Sequence, residues 1–274
     1  MDIGYGSIRG KVRHKDEDSL LVEQNTVVTM DFRSERLLCA VADGMGGGEK
    51  GELASRIAIS SVRDSCKDIF FMDQADHAAI LNLIMDSVHA ANRALIDYKE
   101  QNGFSSMGTT LTLSYYSEGW LHTVNAGDSR AYIFNERKTV QKTIDNSYVM
   151  GLVKKGIISE YSARNHPRRN ELTVALGFED NFFPDPYLWR CFKGDSIVLS
   201  CDGLWSAVNP TFLAEAATSR TTAQETVDSL LVYANESDGS DNISLILAKP
   251  ILDTYEEDFL KKPTVTGKSL KNSV

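Results

Sequence analysis

Two apolar runs in this chain end in the same dipeptide. Leu37-Leu38-Cys39-Ala40-Val41-Ala42 leads into Asp43-Gly44, and Ser196-Ile197-Val198-Leu199-Ser200-Cys201 leads into Asp202-Gly203. A carboxylate delivered by an apolar strand is costly unless positive charge or a metal accompanies it. A single Asp-Gly mostly marks a turn, but two that close buried strands fit that reading less well. More acidic residues border strand-like runs. Asp16-Glu17-Asp18 precedes Leu20-Leu21-Val22, Asp128 follows Asn125-Ala126-Gly127, and Asp241-Asn242 opens the last strand. If these carboxylates converge, each like-charge pair at ~4 Å costs roughly 1–4 kcal/mol, depending on effective dielectric. Cations are what would hold such a cluster together. Oxygen-only ligation without His or Cys suits Mg²⁺ or Mn²⁺ and not zinc.

Other chemistries are present as patterns and fail on context. Gly46, Gly48 and Gly51 spell G-x-G-x-x-G, with Asp68 or Asp73 following. A dinucleotide fold needs a returning parallel strand, whereas here a second helical pattern follows. Asp43 would also stand where a pyrophosphate passes. No G-x-x-x-x-G-K-[ST] and no G-x-S-x-G occurs, and no histidine lies in H-x-H or H-E-x-x-H.

The elements that must position these carboxylates follow from periodicity. Strands are expected at 19–24, 26–31 and 37–42, the last two joined by a turn at 32–36. Helices are expected over 51–71 and 76–99, with Ala54, Ala58 and Val62, then Ile80, Ile84 and Val88, at helical spacing. Runs 109–117, 120–125 and 130–134, separated by turn residues, read as an antiparallel meander. Residues 145–170 are mostly helical by pattern, with Ser147 as N-cap and Gly156 as a stop. A strand over 196–201, helices over 210–219 and 222–235, and a strand over 242–249 complete the chain. Strands and paired helices in this order argue for an α+β fold, with helices layered on antiparallel sheets. The residues beyond 250 form a C-terminal tail, polar and basic from Lys261 to Val274.

Composition bounds the partners. The chain has 274 residues and a net charge of −9, which makes nucleic acid or anionic lipid a poor partner. A chain of this length needs no metal merely to fold, so a bound metal serves chemistry. The four cysteines, Cys39, Cys66, Cys191 and Cys201, form no C-x-x-C pair and read as buried thiols. No signal-like start or apolar run long enough to span a bilayer is present, so a cytoplasmic protein is expected.

The ordered set Arg13-x-x-Asp16-Glu17-Asp18-Ser19, Asp43-Gly44-Met45-Gly46-Gly47, Gly108-Thr109-Thr110, Asn125-Ala126-Gly127-Asp128-Ser129-Arg130, Asp202-Gly203-Leu204-Trp205 and Asp241-Asn242-Ile243 resembles the metal-dependent type 2C protein phosphatases of bacterial type. The resemblance implies an α-β-β-α sandwich of two antiparallel β-sheets, each flanked by a pair of antiparallel helices. It implies one phosphatase domain over 1–250, with a flap near 145–175 and a tail over 251–274. It also implies hydrolysis of phosphoserine and phosphothreonine in proteins, by in-line attack of a hydroxide bridging two Mn²⁺ or Mg²⁺ ions. Asp43 would bridge the ions, with the Gly44 carbonyl on one of them and Asp202 and Asp241 on the other. Glu17 and Asp18 would act through water, Asp128 would help hold a third ion, and Arg13 would bind phosphate.

Three positions depart from the family pattern. Met45 stands where many eukaryotic members have His, Asp16 replaces the usual Asn, and Asn146 replaces a common His in the flap. The rival reading is a catalytically inactive member that binds or scaffolds phosphoproteins, and the retained acidic set and Arg13 speak against it. Expected partners are phosphorylated proteins that Ser/Thr kinases produce, with no nucleic acid and no membrane, the chain acting as a monomer.

Overall fold

The computed structural model describes residues 1–28, 33–46, 49–178 and 182–250. Eleven strands among them form two antiparallel sheets, with the order β1-β11-β10-β7-β8 in one and β2-β3-β5-β6-β9 in the other. The strands of the first sheet are β1 (Asp2–Ile8), β7 (Arg130–Asn135), β8 (Lys138–Lys142), β10 (Ser196–Ser200) and β11 (Ile243–Lys249). Those of the second are β2 (Asp18–Val28), β3 (Arg33–Met45), β5 (Leu111–Ser117), β6 (Trp120–Ala126) and β9 (Asp185–Arg190). The two-residue β4 (Gly108–Thr109) pairs with the end of β3.

Alternation along β3 shows how the layers form. Leu38, Ala40 and Ala42 pack with Ala54, Ala58 and Val62 of α1 (Glu49–Ser65) and with Ile80, Ile84 and Val88 of α2 (His77–Gln101). Leu37, Cys39 and Val41 point the other way, against Ala131, Ile133, Ile197, Leu199 and Ile246 of the first sheet. That sheet turns Tyr132, Phe134, Val198 and Leu245 outward, onto α6 (Pro210–Ala217) and α7 (Ala223–Ser237). Strands covered on both faces read as continuous apolar runs, which is why the sheet centres were visible in sequence. The result is the expected four-layer sandwich, with a helix pair outside each sheet.

Several local expectations change. The two strands expected at 19–24 and 26–31 are one strand as far as Val28, because Asn25 stays in register opposite Arg36; residues 29–31 lie outside the described residues. Pairing with β3 overrides the local polarity. The turn expected at 32–36 is also absent after Phe32, since β3 already runs from Arg33. The meander breaks after β6: β7 leaves for the other sheet and pairs with β10. The first long helix ends at Ser65, and Ile69–Phe71 forms a separate 3₁₀ turn. Between 145 and 170 the helices are short, α3 (Tyr148–Lys154) capped by Ser147 and α4 (Glu160–Arg164) capped by Ser159. The helix α5 (Asp202–Ala207) follows β10 directly. The expected tail over 251–274 lies outside the described residues.

Candidate active site and metal centre

The acidic residues singled out above meet at one end of the sandwich. β2 begins at Asp18 and β3 carries Asp43 directly opposite it in the antiparallel register. The backbone of Asp43 is fixed from the other side: its N–H donates to Thr110 Oγ1 at 3.1 Å. Its carbonyl accepts from Thr110 N at 2.9 Å and Thr109 Oγ1 at 2.8 Å. These bonds replace the regular ladder at Thr110 and explain why the expected strand 109–117 is split. Gly44 then passes against the first turn of α1. A Cβ there would lie 2.1 Å from the Gly51 carbonyl oxygen, so only glycine lets the strand end and the helix close. Asp202 opens α5 straight after β10, Asp241 precedes β11, and Asp128 sits in the β6–β7 turn.

The loop from Arg9 to Glu17 is clamped by one side chain. Asn242 Oδ1 accepts from Glu17 N at 2.9 Å, and Nδ2 donates to the carbonyls of Arg9 and Lys15, both at 2.9 Å. This holds Arg13 over the cleft, where Nη2 donates to Asp241 Oδ2 at 2.7 Å. Asp16 accepts from Asp18 N at 3.2 Å and from the Ser7 hydroxyl, so the extra carboxylate closes a local turn. Ser244 Oγ donates to Asp18 Oδ2 at 2.6 Å. His14, beside Arg13, lies on the exposed part of the loop.

Electrostatics report how crowded the carboxylates are. Burial, then repulsion from Asp18, Asp202, Asp128 and Asp241, raises the Asp43 pKa well above the usual carboxylate range. Burial pushes Asp18 up to about 7, with Asp16 and Asp202 adding to it, while Ser244 opposes the shift. Asp202 rises to about 6 through burial and Asp241, and Asp128 rises well above its ordinary value through burial, Asp202 and Asp145. Glu17 is raised by burial, and Arg13 is raised chiefly by its hydrogen bond to Asp241. Among the described residues, three carboxylate oxygens in this cluster, Glu17 Oε1, Asp18 Oδ1 and Asp202 Oδ1, are buried without a hydrogen-bond partner. Buried acceptors are normally satisfied, so a cluster of such oxygens fits hard cations.

Among the described residues, no group of three or more His, Cys, Asp or Glu side chains is spaced to hold a metal ion as it stands. Arg13 holds one oxygen of Asp241 in this arrangement.

The cleft is tied to the segment that follows β8. Arg130 makes two 2.7 Å bonds to the two oxygens of Asp145, and its guanidinium lies 3.6 Å from the centre of the Trp205 ring. Trp205 Nε1 in turn donates to the Asp128 carbonyl at 2.9 Å. Asn146 Oδ1 accepts from Gly127 N at 3.1 Å, and its Nδ2 donates to Asp185 at 2.7 Å. The Asp128 turn is thereby held between α5 and the base of the 145–175 segment. Arg168, in the same segment, is exposed, stacked 3.5 Å over Tyr148 and bonded to Glu171. Asn242, Thr110 and Arg130 lie inside the quoted motifs and Asp145 begins the 145–175 segment, but their positioning work could not be read from residue type.

The sequence profile described as Protein phosphatase 2C matches residues 18–238. The chain belongs to the protein phosphatase 2C family. It is an enzyme of the serine/threonine phosphatase class. The "Serine/threonine phosphatase stp" of Listeria monocytogenes is 32% identical over 250 residues, covering 91% of this chain and 96% of the relative. The crystal structure of the Mycobacterium tuberculosis serine/threonine phosphatase PstP/Ppp superimposes with a TM-score of 0.76 at 30% identity, over 91% of this chain and 99% of that one. A PstP catalytic domain in complex with 2 manganese ions superimposes with a TM-score of 0.73 at 28% identity, over 90% and 98% of the two chains. The phosphatase 2C assignment makes the acidic end of the sandwich the candidate site. No helix among the described residues is long and apolar enough to cross a membrane.

Proposed function

We propose that this chain removes phosphate from phosphoserine and phosphothreonine in cytoplasmic phosphoproteins, using two Mn²⁺ or Mg²⁺ ions. One observation carries the reading: partnerless oxygens of Glu17, Asp18 and Asp202 are buried beside Asp43, in a cluster that mutual repulsion would otherwise open. When bound, two such ions supply an activated water and neutralise charge on the phosphoryl group during in-line displacement.

The residues divide the remaining work. Asp43, whose backbone Thr109 and Thr110 fix, would hold both ions through its carboxylate. The Gly44 carbonyl, Asp202 and Asp241 would complete the ligand set, and Glu17 and Asp18 would hold water beside the ions. Asp128, in the turn whose carbonyl accepts from Trp205, would help hold a weaker third ion. Arg13 binds phosphate oxygens; its five donors let it keep Asp241 and still offer a fork to an anion. Met45 cannot donate a proton, so the leaving serine or threonine oxygen takes its proton from water. Residues 1–250 act as one domain with 145–175 as its flap, and the chain works as a monomer.

The test is phosphate release from a phosphothreonine peptide by wild type and by Asp202→Asn, with and without Mn²⁺. Release by wild type that needs Mn²⁺ and collapses in the variant supports the proposal. A well-folded wild type that binds the peptide without turnover in Mn²⁺ would make it a binding module instead.

A further inference from the structure

A pocket of about 290 Å³ opens between the flap and the end of β3, lined by Met45, Leu172, Val174, Ala175, Phe178 and Phe182 together with two polar residues. Ligand sites for small molecules usually begin near this volume, so the pocket suits a single large side chain better than a cofactor. We propose that it receives an apolar side chain of the phosphoprotein, within about three residues of the phosphorylated serine or threonine. The proposal rests on the phosphatase reading above and adds a sequence preference to it.

Three observations support it. The first is continuity with the reaction centre. Met45 is two residues beyond Asp43 on the same strand, so the pocket wall begins about 7 Å from the Asp43 backbone. An extended substrate advances about 3.3 Å per residue, which brings its second or third neighbour to that distance.

The second is rigidity. Leu176 and Thr109 exchange backbone hydrogen bonds at 2.9 and 3.2 Å, and Gly108 pairs with Met45, so the flap's returning leg is joined to β3 through β4. Gly177 donates to Asn92 Oδ1 at 2.8 Å, and its carbonyl accepts from Lys99, whose ammonium also stands 5.7 Å from the Phe178 ring centre. A Cβ on Gly108 would lie 2.2 Å from Phe178 Cε2, so the glycine makes room for that ring. The pocket is formed before substrate binds, which limits the entropy lost on docking.

The third is the character of the wall. Phe178 is 49% exposed at the rim while Phe182 is only 5% exposed, packed 5.1 Å from the His89 ring. A wall that combines a half-exposed aromatic, a buried one and a methionine accepts varied apolar shapes.

The experiment uses the full chain with Mn²⁺ and a set of phosphothreonine peptides. They are identical except for Leu, Phe, Gly or Asp at each of the three positions on either side of the phosphothreonine. At one position Leu or Phe is expected to raise kcat/KM about tenfold over Gly, mostly through KM. Phe178→Ala removes a wall and Ala175→Leu fills the space, and each is expected to bring that ratio close to one. Thermal unfolding of both variants checks that they are folded. Equal kcat/KM for all peptides in a wild type that hydrolyses them, or a ratio that survives in both variants, would overturn the pocket's role alone. Hydrolysis of no peptide at all would overturn the phosphatase reading and this proposal with it.

Discussion

Asp18 and Asp43 face each other directly across the β2–β3 ladder. Like charges in opposed positions destabilise a sheet, and here both are also pushed toward the protonated form by burial. The fold tolerates the pair because Thr110 and Ser244 hold each carboxylate's surroundings in place. On the proposed metal reading, cations held by these carboxylates would offset that repulsion.

Removing one charge therefore has opposite effects with and without metal. In chelator at pH 8, Asp18→Asn is expected to raise the melting temperature by about 2–4 °C, corresponding to about 1 kcal/mol in a chain of this size. In Mn²⁺ the same variant gains less from the metal than wild type does. Differential scanning calorimetry in both conditions measures the two shifts, and a lower melting temperature in chelator would count against the reading.

Arg13 should act on phosphate and not on folding. Its side chain is 47% exposed and its position is set by the Asn242 clamp. Arg13→Ala is expected to reduce kcat/KM by about 10²–10³, as loss of a preorganised donor usually does. Arg13→Lys should recover only part of this, since a point charge lacks the fork. Asn242→Ala is expected to destabilise the fold by about 1–3 kcal/mol, because it leaves buried backbone groups unpaired. Steady-state kinetics and urea titration of the three variants separate the effects.

The Arg130–Asp145 pair predicts strong coupling. The two side chains are only 12% and 7% exposed, so Asp145→Ala strands a guanidinium and is expected to cost about 3–5 kcal/mol. The double replacement Arg130→Met with Asp145→Leu should lose much less. Urea unfolding of the single and double variants gives the coupling directly.

His122 supplies the pH dependence. Its ring is fully buried, with Nε2 3.2 Å from His77 Nδ1 and Nδ1 3.3 Å from the Tyr115 carbonyl. Burial lowers its pKa to about 4, with His77 adding to the shift. The unfolded chain therefore takes up the proton first. Stability from this site is intact above about pH 6.5 and falls as pH drops toward 4, by about 3 kcal/mol in all. Comparing wild type with His122→Gln by urea unfolding at pH 7 and pH 4.5 isolates this effect. Equal losses in the two proteins would exclude it.

What could be read from sequence follows from burial. The doubly covered strands β3, β5, β6, β7, β10 and β11 and both long helices of the first pair carry continuous or periodic apolar patterns. The strands that were missed, β1, β8 and β9, are all at sheet edges. β8 is Lys-Thr-Val-Gln-Lys and largely exposed, and β9 contains Pro186, so neither shows the alternation that burial imposes. The same logic holds at the site. The carboxylates announced themselves because acidic residues beside apolar strands are unusual. Asn242 and Thr110 did not, because a neutral side chain that bonds to distant backbone leaves no trace in local pattern.

Calorimetric titration of Mn²⁺ into the metal-free chain measures whether these carboxylates hold two cations. Two tight sites per chain are expected in wild type, with a weaker third that is lost in Asp128→Ala. Asp43→Asn, folded by circular dichroism, is expected to lose both tight sites together. A folded wild type that binds one Mn²⁺ or none, or an Asp43→Asn variant that still binds two, would contradict the two-cation reading.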